Sequence, residues 1–400
     1  MATIDGDRLL RDLYAVREIG KYRFGVHRPT FSPQDIEARH WLAARLADAG
    51  LDASIDGIGN VYGRDPGSGR KLLTGSHLET QNHAGWLDGV MGIIYGLELA
   101  RSLGKGIDVA AWCDEEGHFG SFIGSRSACG ILTEQEIDTC ANRESGVSLR
   151  DALRQAGFSG RPRQMIDPGR YCGYLEAHIE QGADLEDHHL RLGIVTAIVG
   201  SRRFKIAFKG QQNHAGTTRM AVRKDAGVAL VKLAAGIEAR FPAVAGPRTV
   251  WTVGDIRLDP GAASIVPGGA ELVFQFRDTD PGILDALEAT LNELIAEAAC
   301  GPCEVAVTYR SATDPAAMDP GFQSALAAAA QRHAPELHQA MPSGAGHDAQ
   351  IISRILPSAM LFVPSIGGIS HHYTENTRDE DIVLGCHVFA DAAEAILAQA

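Results

Sequence analysis

Between Lys71 and Leu103 an apolar run stops at a histidine, and a helical pattern then begins just behind an aspartate. The run KLLTG, residues 71–75, reads as a strand with His77 directly after it. From Gly89 the spacing of GVMGIIYGLELARSL predicts a helix, and Asp88 stands at its entrance. The pattern returns twice. Ile107 to Cys113 is a second short apolar run, which delivers Asp114, Glu115 and Glu116 to its carboxyl end. The segment YCGYLEAHIEQGADLE then brings His178, Glu180 and Gln181 in a third burst. Apolar strand, polar end and long helix make the repeating unit of a parallel sheet with helical crossovers. In open sheets of this kind ligands bind outside the carboxyl ends of the strands, where these histidines and acids fall.

The remaining patterning divides the chain. Ser32 and Pro33 start a helix that ends at Gly50 and reads as scaffolding. From Arg203 the order is alternating strand, Ala/Val/Leu-rich helix (224–241), the strand pair TVWTVGDIRL and ELVFQFRD, helix (283–299) and the strand EVAVTYR. That is the β-α-β-β-α-β split sandwich, which can close on itself and reads as an inserted domain. The expected organisation is therefore α/β. Residues 1–202 and 316–400 would form a catalytic domain with a mixed, mainly parallel sheet flanked by helices, and 203–315 an inserted ferredoxin-like domain. Four hundred residues, 45% of them hydrophobic, suffice for two cores.

A formal charge of -13 argues against nucleic-acid or membrane-surface partners, and an anionic substrate would need local Arg or His. No apolar run is long enough to span a membrane. The amphipathic, acid-bearing N-terminus shows no signal peptide, and the seven cysteines, an odd number scattered without C-x-x-C spacing, read mostly as buried small apolar residues. Both features suit the cytoplasm.

Six side chains carry the chemistry as a set: His77, Asp88, Glu115, Glu116, His178 and His371, each in a Gly-flanked polar burst after an apolar run. Nitrogen and carboxylate donors without thiolates suit zinc first, with manganese, nickel or cobalt as alternatives. Two such ions, about 3.5–4 Å apart, need one bridging carboxylate and a pair of ligands on each side. Three histidines and two carboxylates supply that count, and one carboxylate remains. Along an extended chain Glu115 and Glu116 must point different ways, so one can bind metal while the other faces the water between the ions as a base.

The motifs GSHLET…DGVMG, DEEGHFGSFIGSR, LEAHIEQG, NHAGTTRMAVRKDA, IVPGGAELVFQFRD, SGAGHDAQ and GGISHHYTE resemble, in order and over nearly the whole chain, the hydantoinase/carbamoylase branch of the zinc aminoacylase and carboxypeptidase family. That branch holds N-carbamoyl-L-amino-acid hydrolases, beta-ureidopropionases and allantoate amidohydrolases. The resemblance implies a two-metal site and an inserted lid that also forms a homodimer interface. It makes Asp88 the bridge, His77, Glu116, His178 and His371 the other ligands, and Glu115 the base. His214 would stabilise an oxyanion in the neighbouring subunit's site. Arg277 would clamp the carboxylate of a small-molecule substrate, with Gln181 and His347 adding hydrogen bonds at the same end.

Three departures stand out. Glu79 replaces the aspartate expected behind His77, Ser264 replaces an asparagine expected to hold substrate, and His118 stands where an arginine-containing variant is common. His83 is excluded as a ligand because five others complete the set, and motif register selects His371 over His372. The implied activity is a metal-dependent amidohydrolase that cleaves the linear C–N bond of an N-carbamoyl-L-amino acid or related ureido acid, with release of ammonia and carbon dioxide. The alternatives are allantoate amidohydrolase, an N-acyl amino acid hydrolase or dipeptidase-like enzyme, and a non-catalytic metal-bound binding protein.

Overall fold

The computed structural model describes residues 3–399. By internal contacts the chain divides into two compact units, one made of residues up to Thr196 together with those from Ala317, the other of Ala197–Ala316. The second unit begins earlier than the expected 203 because its first strand already starts at Gly200.

The first unit is built on a mixed nine-stranded sheet. Its centre is four parallel strands in the order Ser358–Val363, Tyr171–Ile179, Lys71–His77 and Ile107–Trp112. Every residue of these four is buried, as expected for parallel strands covered on both faces. Antiparallel strands flank them: Val61–Arg64 and Asp52–Ile55 on one side, Leu192–Ile198 on the other. From Lys71–His77 the chain crosses through the helix Val90–Leu103 to the neighbour on one side, and later returns to the neighbour on the other. The strand order therefore reverses at Lys71–His77, and such a switch point leaves a crevice at the carboxyl ends. Ser32 caps the helix Pro33–Asp48 through Asp35 N, as the sequence suggests. A smaller apolar cluster, including Ile58, Ile123, Leu149 and Phe158, anchors the 121–160 region. The strands Leu192–Ile198 and His338–Ser343 and the helix Pro320–His333 have no counterpart among the elements expected from sequence.

In the second unit four antiparallel strands run in the order Val250–Asp259, Gly269–Asp278, Gly200–Lys209, Glu304–Thr313. The helices Ala226–Arg240 and Pro281–Ala299 pack on one face. Strict alternation along Gly269–Asp278 turns Leu272, Phe274 and Phe276 toward Leu230, Leu287 and Leu291 of the helices, and each fully buried side chain contributes about 1.5–3 kcal/mol.

All seven cysteines are free thiols. Cys300 and Cys303 nonetheless stand at a C-x-x-C spacing, contrary to the expectation of scattered residues. Cys303 is buried, which pushes its thiol up and disfavours the reactive thiolate.

Candidate metal centre

Four neighbouring parallel strands end at one edge of the sheet, and each hands a donor to the same place. His77 is the last residue of Lys71–His77, and His178 the penultimate residue of Tyr171–Ile179. Thr74 pairs with Leu175 three residues below each, so the two imidazoles sit level, with ring centroids 5.9 Å apart. Glu115 and Glu116 lie in the turn after Ile107–Trp112, and His371 in the loop beyond Ser358–Val363. Asp88 precedes the helix Val90–Leu103.

Asp88 is the hub. Its Oδ1 lies 3.1 Å from His178 Nε2 and 3.6 Å from His77 Nε2, while its Oδ2 lies 3.2 Å from His371 Nε2. His371 Nε2 is also 3.6 Å from Glu116 Oε2. Two ligand triads result, His77–Asp88–His178 and Asp88–Glu116–His371, each with donor atoms within 4.8 Å of one another. Glu115 belongs to neither, and its Oε2 stands 3.8 Å from His77 Nε2.

The hydrogen bonds behind the ligands test whether cations fit. His77 Nδ1 donates to the Glu79 carbonyl (3.0 Å) and His178 Nδ1 to the Ile179 carbonyl (2.9 Å). With the proton held on Nδ1, the Nε2 lone pairs face the carboxylates. Burial disfavours the imidazolium of His77 and of His178, yet Asp88, with Glu115 beside His77, outweighs it and pulls both pKa values up, that of His77 strongly. The Gly89 N–H nevertheless points at His178 Nε2 (3.2 Å), which marks that atom as a lone pair. Divalent cations, attractive to carboxylates and lone pairs alike, satisfy both demands, so the donor set fits them.

The acids tell the same story. Burial, then repulsion among Glu116, Asp348 and Asp88, drives Glu115 well above the usual carboxylate range despite the opposing pull of His77. Glu116 is raised by burial and by Asp88. Asp88 itself is held well below that range, because three histidine contacts outweigh its burial. Asp88 raises His371 to about 9, against burial and with help from Glu116.

The local backbone is unusual here. Asp114, Gln181 and His371 have φ of 57°, 59° and 54°, in the left-handed region that side chains rarely adopt. Gly89, at φ 71°, must be glycine for a second reason: a Cβ there would lie 2.5 Å from the His77 ring. Asp114 secures the acid-bearing turn by accepting the N–H groups of His118, Phe119 and Gly120 and the Thr30 hydroxyl.

Two expectations need correction, those for the Glu115–Glu116 segment and for Glu79. Glu115 and Glu116 diverge within a turn rather than along an extended segment. The Glu79 carboxylate does not reach His77; its backbone carbonyl does, while the side chain accepts from Arg39 (3.0 Å) and from the Glu115 N–H (2.7 Å). Gln181 directs its amide NH2 at Asp88 (3.3 Å) and Ser370 (3.2 Å), and its Oε1 is buried. His347 is buried, 2.8 Å from Ser343 Oγ, with its ring 4.6 Å from that of His178, and burial holds it neutral. His83 stacks on His27, His372 contacts Thr374, and His118 contacts Thr30, and none of them belongs to either triad.

The second unit carries the other three residues. His214 is exposed on a two-residue strand pairing with Ile265–Val266, and the Ser264 carbonyl accepts the Ala215 N–H (2.9 Å). His214 Nδ1 accepts from Gly216 N (3.0 Å) and Thr217 N (3.2 Å), which leaves its proton on Nε2. Arg277 lies half-buried between Ser201 and Val250 on adjacent strands, and burial with the neighbouring Arg203 lowers its pKa.

The donor-bearing segments from Asp88 onward fall within a known family. The model of peptidase family M20/M25/M40 matches residues 82–395. This chain belongs to that family. An N-carbamoyl-L-amino acid amidohydrolase of Geobacillus stearothermophilus is 33% identical over 96% of this chain and 97% of its own length. An allantoate amidohydrolase of Escherichia coli strain K12 is 30% identical over 92% of each. Among solved structures, an amidase of the hydantoinase/carbamoylase family from Burkholderia phymatum superposes with a TM-score of 0.90 at 48% identity, covering 100% of this chain and 99% of its own.

As an M20-family member the chain shows a supporting residue to which the sequence alone assigns no role. Glu375, four residues beyond His371, accepts from Leu87 N (3.2 Å), Asp88 N (3.1 Å) and Ser370 Oγ (3.0 Å), so it ties the Asp88 and His371 loops together. Its carboxyl, pushed up to about 7 by burial and by Asp88, is a buried acid in the YTE segment, and that placement was its only signal.

Proposed function

We propose that this chain is a dinuclear metal-dependent amidohydrolase acting on the linear C–N bond of an N-carbamoyl-L-amino acid or closely related ureido acid, releasing ammonia and carbon dioxide. The observation that carries the reading is the sharing of Asp88 by two ligand triads with Glu115 left over beside them. The two amidohydrolases similar along the full length support the reaction type. Two divalent cations, with zinc the first choice, would supply electrophilic activation of the carbonyl and of water. Glu115, buried beside the ligands but outside both triads, is suited to take the proton from the attacking water and to pass it to the departing nitrogen. A non-catalytic metal-binding protein would have no use for such an acid next to its ligands.

The remaining roles follow the family pattern. His214, with its proton on Nε2, is suited to donate to the oxyanion, and Arg277 to pair with the substrate carboxylate. Ser264 lies in the segment that pairs with His214 and would bear on which side chain is accepted. The 197–316 unit would serve as lid and homodimer interface, and a reducing cytoplasm suits seven free thiols. None of the described helices is long and apolar enough to cross a membrane.

Allantoate amidohydrolase is the second reading, since the relatives include that activity at nearly the same identity. Ammonia release from a panel of carbamoyl amino acids, allantoate and N-acyl amino acids separates these. Glu115→Gln tests the mechanism: it should retain both ions and lose about 100- to 10,000-fold in kcat. Full turnover with both ions bound would eliminate Glu115 as the base.

A further inference from the structure

Behind the metal centre lies a buried ion triad that the proposed mechanism does not use. Asp35, Arg39 and Glu79 are all fully buried. Arg39 donates from Nε to Asp35 (2.9 Å), from Nη1 to the Gly59 carbonyl (2.6 Å) and from Nη2 to Glu79 Oε2 (3.0 Å). Asp35 and Arg39 stand one helical turn apart on Pro33–Asp48, and Asp35 also accepts the Phe31 N–H (2.8 Å). The guanidinium is thus fixed by Asp35 and the Gly59 carbonyl, which leaves Nη2 for Glu79.

Glu79 passes that constraint forward at two atoms. Its Oε1 accepts the backbone N–H of Glu115 (2.7 Å), and its carbonyl accepts Nδ1–H of His77 (3.0 Å). One residue therefore sets both the peptide that aims Glu115 and the ring orientation of a ligand. A rigid element is needed there, because Glu115 sits in a turn entered through the left-handed Asp114, and its carboxylate must be aimed from the backbone to stand 3.8 Å from His77 Nε2.

We propose that Arg39 is a positioning residue for the metal centre, acting through Glu79 on the backbone of Glu115 and on the imidazole of His77. The inference rests on the amidohydrolase reading for its catalytic consequence, while its consequence for metal binding stands apart from any substrate. Lysine at 39 would keep the charge but lose the planar fork, and one ammonium cannot hold Asp35, the Gly59 carbonyl and Glu79 in the same geometry. Partners behind a ligand typically govern about 10- to 100-fold in metal affinity or activity.

The experiment compares Arg39→Lys and Glu79→Gln with Lys71→Met in the full-length protein. Lys71 pairs with Asp65 (2.6 Å) in another buried ion pair at the opposite end of the same strand, so the third variant reports what loss of a buried pair does by itself. Each protein is titrated with Zn2+ against a chelating indicator, melted, and assayed for kcat and KM at a temperature well below its Tm. The expected result is that Arg39→Lys and Glu79→Gln weaken one of the two zinc equivalents about 10- to 100-fold and lower kcat more than they change KM. Lys71→Met should lower Tm alone. If Arg39→Lys and Glu79→Gln behave as Lys71→Met does, with both affinities and kcat within threefold of wild type, the triad is merely structural and the proposal is overturned. Should Arg39→Lys not fold, Glu79→Gln alone decides between the two outcomes by the same measurements. Should wild type bind two ions yet turn over nothing in the substrate panel, the functional reading fails and the zinc affinities still decide the role of Arg39.

Discussion

Gly89→Ala concentrates the structural reasoning into one methyl group. The new Cβ would lie 2.5 Å from Nδ1, Cδ2 and Cε1 of His77, directly over the ring face. Ordinary contact needs about 1 Å more, so the ring or the Asp88–Gly89 backbone must give way by that amount. The ring has little room to move, since its Nδ1 is tied to the Glu79 carbonyl and the whole strand Lys71–His77 is buried. The backbone has little either, because Asp88 N and Leu87 N are both held by Glu375 and φ at 89 is 71°. With φ 71° and ψ -52° the residue lies at positive φ outside the left-handed helical well, a sparsely populated conformation that costs an alanine about 1–3 kcal/mol. A ligand displaced by about 1 Å loses on the order of 100-fold in rate. The expected outcome is a folded protein, a few degrees less stable, with one zinc equivalent weakened and kcat down about 100-fold. Zinc titration and steady-state ammonia release measure both effects. A Gly89→Ala protein that binds two ions with wild-type affinity and turns over within threefold would show that His77 does not sit where the first triad requires it.

Removing the metals should unbalance the buried acids. Chelation is expected to abolish turnover and lower Tm, and an ion present at about 1,000 times its Kd to restore about 4 kcal/mol, read by differential scanning calorimetry with and without added Zn2+. A second outcome concerns acid stability away from the centre. Burial raises the Asp65 carboxyl, but Lys71 and the N–H groups of Gly106 and Gly67 overcome that and hold it at about 2. Because the folded value lies below the unfolded one, the associated stability is complete above about pH 4 and disappears as pH falls toward 2. After allowance for solvent screening it amounts to about 1 kcal/mol. Asp65→Asn should flatten that part of the denaturant-unfolding profile of the chelated protein, and an unchanged slope between about pH 4 and 2 would contradict the assignment.

The parts of the fold legible from sequence are those whose burial is two-sided or strictly alternating. Lys71–His77, Ile107–Trp112 and Ser358–Val363 announce themselves as short apolar runs, and Gly269–Asp278 as a period of two. Leu192–Ile198 escapes because it runs almost directly into Gly200–Lys209, with no polar break to separate them. At the site, residue types and their place behind strands are readable, whereas the partition of each carboxylate is a tertiary matter. Glu79 looks like a partner for His77 two residues away, yet its carboxylate reaches an arginine 40 positions upstream. Asp35 and Arg39 look like one more i,i+4 pair on a scaffolding helix, and only burial reveals that they face inward. The divergence of Glu115 from Glu116 depends on the left-handed Asp114, which no local propensity favours.

How ligands separated by nearly 300 positions meet is also a question of chain path. Three donor-bearing strands are laid down before residue 180, and the fourth, Ser358–Val363, arrives only after the excursion through 197–316. That excursion is physically cheap because its ends coincide: Ser201 on its first strand pairs with Thr313 on its last. A unit whose termini lie side by side closes its own loop through its own core of Phe204, Phe274, Leu287 and their neighbours, so the parent sheet does not bear the entropy of joining two distant points. The parent sheet can therefore resume pairing where it left off, and Phe362 lies beside His178 in register with it. The loop that follows then carries His371 to Asp88, so the second triad can be completed only once the last central strand is in place.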